Sequence, residues 1–248
     1  MQNYINNHNY EDITRIGRIT CMYAKYFKRL FDFILSFIAL LVLSPLLLIL
    51  TVVGAIAMRG NPFFLQLRPG KKGKDGKEKI FKLIKFRTMT NERDENGDLL
   101  PSQQRLNKYG RFLRKTSCDE LPSLINIILG DLSICGPRPL LVKYLPLYSE
   151  EQRHRHDVRP GLTGYAQVHG RNKVSWEERF AFDIWYTNNI SLKTDIGIII
   201  DTIKIVLKKD GVEAEGTIIM KEFIGSELSQ EKEREEDADL VYECRQES

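Results

Sequence analysis

Two neighbouring carboxylates, Asp119 and Glu120, lie in the middle of the chain between a basic pair and a Leu-Pro step. An Asp-Glu pair most often marks a solvated helix start, because the helix macrodipole favours acidic side chains in the first turn. The apolar run 121–129 predicts a buried helix with Pro122 in its first turn. Both carboxylates are then expected at a helix N-terminus, where backbone amides help to hold anions and their metals.

A second candidate for chemistry is Arg138, which stands between Pro137 and Pro139. Rigid backbone on both sides reduces the entropy lost when a guanidinium binds an anion. A structural loop that carries a surface arginine has the same sequence pattern, so both interpretations stand at this point.

The histidines and cysteines do not predict a metal site. His154 and His156 are two residues apart on a predicted helix, which puts them on different faces and favours solvated or phosphate-adjacent side chains. The cysteines lack CxxC or CxxH spacing, which indicates free thiols in a reducing compartment; they are Cys21, Cys118, Cys135 and Cys244.

Charge is distributed unevenly along the 248 residues. Residues 213–248 contain 12 acidic and 4 basic side chains, so the net charge of +4 divides into −8 for this tail and +12 for residues 1–212. A basic body suits an anionic partner such as nucleic acid, a phosphorylated metabolite or a lipid surface. Composition does not choose among the three.

The run 33–58 contains no charged residue, and a basic aromatic cluster at 25–29 precedes it. Such clusters occur at membrane interfaces, and the 26 apolar residues exceed the roughly 20 needed to cross a bilayer. The run therefore predicts a membrane helix. A secretory signal is less favoured because its apolar region spans about 7–15 residues.

Ser44 and Pro45 lie near the middle of this run, and both flanks are basic. Proline removes the amide that would bond the carbonyl of Leu41, so a kink is expected there, and the Ser44 hydroxyl can help to satisfy that carbonyl. Basic flanks place both ends on the cytoplasmic side. We therefore expect a re-entrant helix-break-helix, with a straight span and a buried core helix as the alternatives.

The remaining pattern predicts a mixed α+β fold, mostly helical. Strand-like segments at 62–67 and 79–89 flank a glycine-rich turn and predict a small β-hairpin. Helical spacing predicts helices at 104–115, 144–156 and 176–189, and 196–207 is typical of an amphipathic membrane-surface helix. Residues 165–172 predict a short strand running into a basic turn. The expected organisation is a mobile arm (1–24), a basic interface segment and membrane helix (25–58), a cytoplasmic catalytic domain (59–211) and an acidic, mobile tail (212–248).

Five motifs occur in order: KFRTM at 85–89, RKTSCDELP at 114–122, GDLSICGPRP at 130–139, RPGLTG at 159–164 and QVHGRN at 167–172. Together they resemble the bacterial sugar transferases and, more narrowly, the small monotopic phosphoglycosyl transferases. The resemblance runs from about residue 28 to 211. Cys118, Ser123 and His169 depart from the residues usual at those positions, and none of the departures removes a charged group.

The resemblance implies transfer of a sugar 1-phosphate from a UDP-sugar to polyprenyl phosphate, with release of UMP, at the bacterial inner membrane. By the family pattern Asp119 is the nucleophile that forms a covalent phosphosugar intermediate. Glu120 would bind Mg²⁺. Candidate phosphate-binding residues are Lys85, Arg87, Arg114, Arg138 and Arg171.

Two other functions have the same gross features. A glycosyltransferase would release UDP, and an inactive membrane-tethered assembly factor would need no catalytic pair. Nucleic-acid binding is not expected, because the long uncharged run and the lack of an aromatic-basic signature argue against it. Both termini are expected in the cytoplasm, with membrane lipids as partners, and self-association through the surface helices stays open.

Overall fold

The computed structural model describes residues 22–170, 174–208 and 222–225. A π-helical turn, Tyr23–Phe27, leads into the long helix α1, Lys28–Ala57. Within the described residues, this is the one helix long and apolar enough to cross a membrane. Helical backbone continues through Pro45, and the Ser44 hydroxyl donates to the Leu41 carbonyl at 2.7 Å, as the sequence predicts. One continuous helix thus takes the place of the helix-break-helix expected at Ser44 and Pro45.

The predicted β-hairpin is confirmed. Strand β1, Phe63–Lys72, pairs antiparallel with β2, Glu78–Phe86, and the register places Phe64 opposite Lys85. The turn between them includes Gly76 at φ +75°, a conformation that glycine adopts without strain. Lys85 therefore lies near the end of β2, just before the chain leaves the hairpin.

The predicted helix at 104–115 is two helices, α2 (Ser102–Arg105) and α3 (Lys108–Thr116). The Asn107 side chain caps α3 by accepting from the Gly110 amide. A left-handed Ser117 ends α3 and turns the chain into a 3₁₀ helix, Cys118–Ser123, called the acidic turn below. Helix α4, Leu124–Leu129, follows. The carboxylates thus lie inside a 3₁₀ turn, and the α-helix begins three residues later than predicted.

The second half of the domain is built from short elements and two longer helices. Predicted helix 144–156 is divided into 3₁₀ and α pieces, whereas the helices predicted at 176–189 and 196–207 are present. In order, the elements are β3 (Ser133–Cys135), 3₁₀ Val142–Leu147, α5 (Glu150–Arg153), 3₁₀ His154–His156, β4 (Gly161–Thr163), α6 (Tyr165–His169), α7 (Trp176–Asn188) and α8 (Leu192–Lys208). Strands β3 and β4 pair in parallel.

The strand predicted within 165–172 is wrong, because its first five residues form α6. Helical spacing lets Tyr165 stack on His169 with ring centroids 3.9 Å apart, and Tyr165 also packs against Trp185 of α7 at 4.2 Å. Side chains four residues apart are neighbours on the surface of a helix, whereas in a strand they lie too far apart to stack. Tertiary packing has overridden the strand preference of the segment.

Helix α1 packs along the rest of the described domain instead of standing apart from it. Ala39, Leu40 and Leu43 contact the apolar cluster between the hairpin and α4. Further along, Leu50 is 5 % exposed against Phe86 and Leu113. One side of the helix is therefore part of the core, while most of its other apolar side chains are exposed.

Within the four residues of the acidic tail that the structure describes, Phe223 is a core residue. Phe223 is 1 % exposed and packs with Tyr144, Tyr148, Trp176 and Phe180, at centroid distances of 5.1 to 5.9 Å. We call these four partners the aromatic pocket. Burial of a large ring stabilises its attachment to the domain at this position.

The histidines and cysteines are placed as follows. His156 is 3 % exposed with Nδ1 3.2 Å from the Gly70 carbonyl, so the predicted solvated or phosphate-adjacent position is wrong for it. His154 lies 2.7 Å from Asp157. Cys118 and Cys135 are free thiols, as predicted, and Cys21 and Cys244 lie outside the described residues.

Candidate functional site

Glu120 is the centre of a small ionic cluster. Its Oε1 accepts from Lys85 Nζ at 2.6 Å and from Arg138 Nη2 at 2.7 Å. The side chains of Lys85, Glu120 and Arg138 are 17, 21 and 39 % exposed, so the cluster is largely shielded but reachable from solvent. Strand β2, the acidic turn and the loop after β3 each supply one member. The structure thus brings together three residues predicted from separate motifs.

Two buried polar side chains attach the acidic turn and α4 to β2. Ser123 donates to the Ile84 carbonyl at 2.8 Å. Asn126 accepts from the Ile84 amide at 3.0 Å and donates to the Lys82 carbonyl at 2.9 Å, in the manner of a neighbouring strand. Ser123 is fully buried and Asn126 is 2 % exposed. Because the bonded residues of β2, Lys82 and Ile84, lie just before Lys85, these bonds fix its strand against the turn that carries Glu120.

Sequence reasoning missed the role of both side chains. Ser123 was noted only as a departure from the family pattern. Asn126 is the one polar residue in the α4 sequence LINIIL, and a polar residue inside a buried apolar helix requires a hydrogen-bond partner. The sequence therefore indicates that Asn126 has a hydrogen-bond partner, but it does not identify β2 as that partner.

A buried ion pair fixes the backbone of Arg138. Arg155 donates to the Arg138 carbonyl at 2.8 Å and to Asp183 at 2.6 Å. The side chains of Arg155 and Asp183 are 1 and 3 % exposed. This pair and the flanking prolines fix the loop backbone, which leaves the Arg138 side chain to reach Glu120.

The two carboxylates have opposite electrostatic environments. Burial raises the pKa of Asp119, and the neighbouring Glu120 charge raises it further, against the smaller opposing effects of Lys85 and Arg138. Burial also acts to raise the pKa of Glu120, but Arg138 and Lys85 outweigh it and lower that pKa to about 2. Glu120 is therefore ionised at neutral pH, whereas the Asp119 carboxylate is more basic than that of an ordinary aspartate.

The remaining predicted site residues are less closely assembled. Arg114 donates from Nε to Thr88 Oγ1 at 3.2 Å, which joins α3 to the KFRTM motif. The Arg87 amide donates to the Pro62 carbonyl at 2.7 Å. Neither side chain lines the cavity beside Glu120. Arg171 lies outside the described residues.

A cavity opens beside Glu120. Its polar wall contains three cationic side chains, Arg68, Lys85 and Arg138, and its apolar wall contains Leu83 and leucines from the β3 and β4 segments. Cationic and apolar walls together suit a ligand that is partly anionic. Arg68 was not among the residues predicted for the site.

Carboxylate oxygens are the ligands at this site that suit Mg²⁺. Within the described residues, no group of three or more His, Cys, Asp or Glu side chains could hold a metal. Glu120 binds its two cations through Oε1, and its Oε2 accepts no hydrogen bond from the described part of the chain. Mg²⁺ is commonly bound by one or two carboxylates together with substrate phosphates. Asp119 and Glu120 therefore fit a metal shared with a bound diphosphate.

Comparison with known proteins gives a consistent answer. Residues 23–209 match the family model described as bacterial sugar transferase. The chain is 48 % identical over 200 residues to an uncharacterized sugar transferase, EpsL, of Bacillus subtilis, covering 80 % of this chain and 96 % of that protein. It is 35 % identical over 206 residues to the undecaprenyl-phosphate galactose phosphotransferase of Salmonella typhimurium.

A third relative is the UDP-glucose:undecaprenyl-phosphate glucose-1-phosphate transferase of Klebsiella pneumoniae, 35 % identical over 187 residues. The matches cover 76 % of this chain and 42 % of the Salmonella protein, and 71 % of this chain and 39 % of the Klebsiella protein. The chain thus spans less than half the length of these two relatives but nearly all of EpsL.

Proposed function

Because the chain belongs to the bacterial sugar transferase family, we propose that it moves a sugar 1-phosphate from a UDP-sugar to polyprenyl phosphate and releases UMP. The observation that carries the proposal is the adjacent pair Asp119 and Glu120, whose pKa values are displaced in opposite directions and of which Glu120 lines a cationic cavity. The names of the Salmonella and Klebsiella relatives support the substrate class. The proposed role is the first membrane step of glycan or exopolysaccharide assembly.

In the first step, a carboxylate oxygen of Asp119 attacks the sugar-bearing phosphorus of the UDP-sugar. A P–O bond to Asp119 forms, the bond to the bridging oxygen breaks, and UMP leaves with that oxygen and its electron pair. The raised pKa of Asp119 supports this role, because a more basic carboxylate is a better nucleophile. The product is a covalent aspartyl phosphosugar.

In the second step, a phosphate oxygen of polyprenyl phosphate attacks the same phosphorus. The bond to Asp119 breaks, the carboxylate is regenerated, and a polyprenyl diphosphate sugar leaves. The apolar exposed face of α1 supports delivery of this lipid acceptor from the membrane.

Glu120 holds Lys85 and Arg138 at the cavity, where both can bind the oxygens on which negative charge accumulates. Arg87, Arg114 and Arg171 are proposed as further phosphate-binding residues. Glu120 would also be the principal ligand of Mg²⁺, whose chemistry when bound is to neutralise charge on the diphosphate.

We propose that α1 dips into one leaflet and that both termini lie in the cytoplasm. Its 30 residues extend for about 45 Å, yet the same domain contacts it at both ends. Lys28 donates to Asp195 at 2.6 Å near its start, and Asn107 donates to the Ala57 carbonyl at 3.0 Å at its end. A straight span would separate these contacts by a hydrocarbon layer about 30 Å thick.

The exposed face of α8 supports the same arrangement. Ile196, Ile200, Ile203 and Leu207 are 46 to 76 % exposed at spacings of three and four residues, which places them on one stripe of the helix. Such a stripe suits insertion at a membrane surface.

A labelling experiment tests the chemistry. Purified protein in membrane mimetic is incubated with UDP-sugar labelled in the sugar, without polyprenyl phosphate, and label retained on the denatured protein is measured. We expect retention by the wild type and none by Asp119→Asn, whereas Glu95→Gln on an exposed loop serves as a control. Release of UDP in place of UMP would favour an ordinary glycosyltransferase. Unchanged glycan output in cells carrying Glu120→Gln would favour an assembly factor.

Topology is tested separately. Accessibility tags at residues 1 and 248 are expected to report the cytoplasm in intact cells. Tags on opposite sides would establish a straight span and contradict the re-entrant arrangement.

A further inference from the structure

Arg68 projects into the cavity from the same face of the hairpin as Lys85. The register places Lys85 opposite Phe64 and Arg68 opposite Phe81. Directly opposed residues share a face, and alternate residues along a strand share a face, so Arg68, Phe64 and Lys85 lie on one side of the sheet. The lining of the cavity agrees, since it includes both Arg68 and Lys85.

Arg68 differs from the other two cations in its partners. Its Nη1 donates to the Pro139 carbonyl at 3.0 Å and its Nη2 to the Gln66 side-chain oxygen at 2.6 Å. Both partners are neutral, so they orient the guanidinium without compensating its charge. Its Nε is buried and has no hydrogen-bond partner among the described residues.

The charge at this wall is therefore incompletely balanced. Three cations, Arg68, Lys85 and Arg138, lie near two carboxylates, Glu120 and its neighbour Asp119. Burial and the nearby Arg138 lower the pKa of Arg68 to about 10, against a smaller raising effect of Glu120. A shielded guanidinium whose hydrogen-bond partners are neutral is suited to an anion supplied by a ligand.

We propose that Arg68 is a substrate-binding residue that donates to a phosphoryl oxygen of the molecule bound in this cavity. The phosphoryl group belongs either to the diphosphate of the nucleotide sugar or to the lipid phosphate acceptor. This inference rests on the proposed function, because it assigns a further residue to the same reaction.

Steady-state UMP release tests the inference in Arg68→Gln and Arg68→Lys. Arg93→Gln is the matched control, since Arg93 lies on an exposed loop and donates only to the Gly97 carbonyl among the contacts described for it. Loss of a hydrogen bond to a charged group predicts that Arg68→Gln raises KM by about 10–100-fold for one substrate. Arg68→Lys should lie between it and the wild type.

Varying each substrate in turn separates the two sources of the phosphoryl group. A raised KM for UDP-sugar assigns Arg68 to the nucleotide sugar, and a raised KM for undecaprenyl phosphate assigns it to the acceptor. Wild-type values for both substrates in a folded Arg68→Gln protein would overturn the proposal. If that variant does not fold, Arg68→Lys decides the question by the same criterion.

A binding measurement keeps this inference distinct from the proposed function. Calorimetric titration of inorganic pyrophosphate and of inorganic phosphate into the intact protein should show weaker binding of one of the two anions by Arg68→Gln than by wild type and Arg93→Gln. Absence of UMP release by the wild type would refute the proposed function, whereas equal affinities for both anions would refute the role of Arg68.

Discussion

At the scale of single residues, the site depends on two adjacent carboxylates with different surroundings. Glu120 accepts from two cations, and Asp119 is half-buried beside that negative charge without an ion pair among the described contacts. A 3₁₀ helix has three residues per turn, so the side chains of adjacent residues point in different directions. Neighbours in sequence can therefore have separate tasks.

Replacing Glu120 by Gln is expected to change the dependence of stability on pH. The pKa of Glu120 is lowered from 4.5 to about 2, so its stabilising contribution is complete above pH 4.5 and is lost as the pH falls toward 2. At neutral pH the substitution should cost about 1–3 kcal/mol, because Lys85 and Arg138 lose their counterion.

The difference from wild type should then shrink on acidification. Denaturant unfolding in detergent at pH 7, 4.5 and 3.5 measures it, with exposed Glu95→Gln as the control. A difference that stays constant across these pH values would contradict the ion cluster around Glu120.

Residue types at the site were readable from the sequence, but their contacts were not. Lys85 and Arg138 were candidates because they lie in basic motifs. Their contact with one oxygen of Glu120 was not predicted, because Lys85 is 35 residues and Arg138 is 18 residues from Glu120 in the chain. Phe64, Gln66 and Arg68 occupy alternate positions along β1 and therefore share one face of the hairpin. The face on which Arg68 lies could thus have been deduced once the hairpin was predicted. The lack of a carboxylate partner for it emerges only from the packed structure.

At the scale of elements, the acidic turn and α4 are attached to β2 through side chains instead of backbone pairing. Asn126 bonds both Ile84 and Lys82 on the outer edge of β2. An amide side chain that replaces a strand in this way satisfies the exposed edge and fixes its distance from α4.

Asn126→Ala is expected to destabilise the protein by about 2–4 kcal/mol, because it removes two bonds and leaves buried backbone groups unpaired. Activity measured at a temperature where the variant is folded should also fall, since Lys85 loses its alignment with Glu120. Asn189→Ala is the matched control, because Asn189 is exposed and donates to the Trp185 carbonyl. Equal thermal unfolding curves for the two variants would argue against this role of Asn126.

Elements with strong local signals were predicted correctly. The hairpin at β1 and β2 follows from a charged glycine turn between apolar strands, and α7 follows from helical spacing. The prediction was wrong for α6, where ring stacking of Tyr165 on Trp185 decides the conformation. Short 3₁₀ segments such as Cys118–Ser123 also escaped prediction, since their ends depend on backbone turns like the left-handed Ser117.

At the scale of the whole molecule, a buried polar network joins the long apolar helix α1 to the domain that follows it. Asp195 of α8 accepts from Lys28 at 2.6 Å, from Tyr23 at 2.7 Å and from Tyr186 at 2.7 Å. Asp32, one turn after Lys28, accepts from the Ser133 hydroxyl at 2.7 Å. Tyr23 is 8 % exposed and so differs from the mobile arm predicted for residues 1–24.

Asp195→Ala is expected to destabilise the protein by about 3–5 kcal/mol, because it leaves the Lys28 charge buried without its closest partner. Thermal unfolding in detergent measures the effect, and Asp201→Ala on the exposed side of α8 is the control. Combining Lys28→Met with Asp195→Leu should restore part of the stability lost in Asp195→Leu alone. A double variant less stable than Asp195→Leu would contradict the pairing.

The burial of Phe223 has a practical consequence for shortening the chain. Residue 223 lies beyond the family match, which ends at 209, yet its ring fills the aromatic pocket. Truncation after residue 221 would expose the four rings of the aromatic pocket and create an apolar surface prone to association. Truncation after residue 225 would keep these rings covered by Phe223. We expect light scattering to detect aggregation of the shorter protein at temperatures where the longer one stays dispersed. We therefore expect that the acidic tail can be shortened from the C-terminus, but not past Phe223.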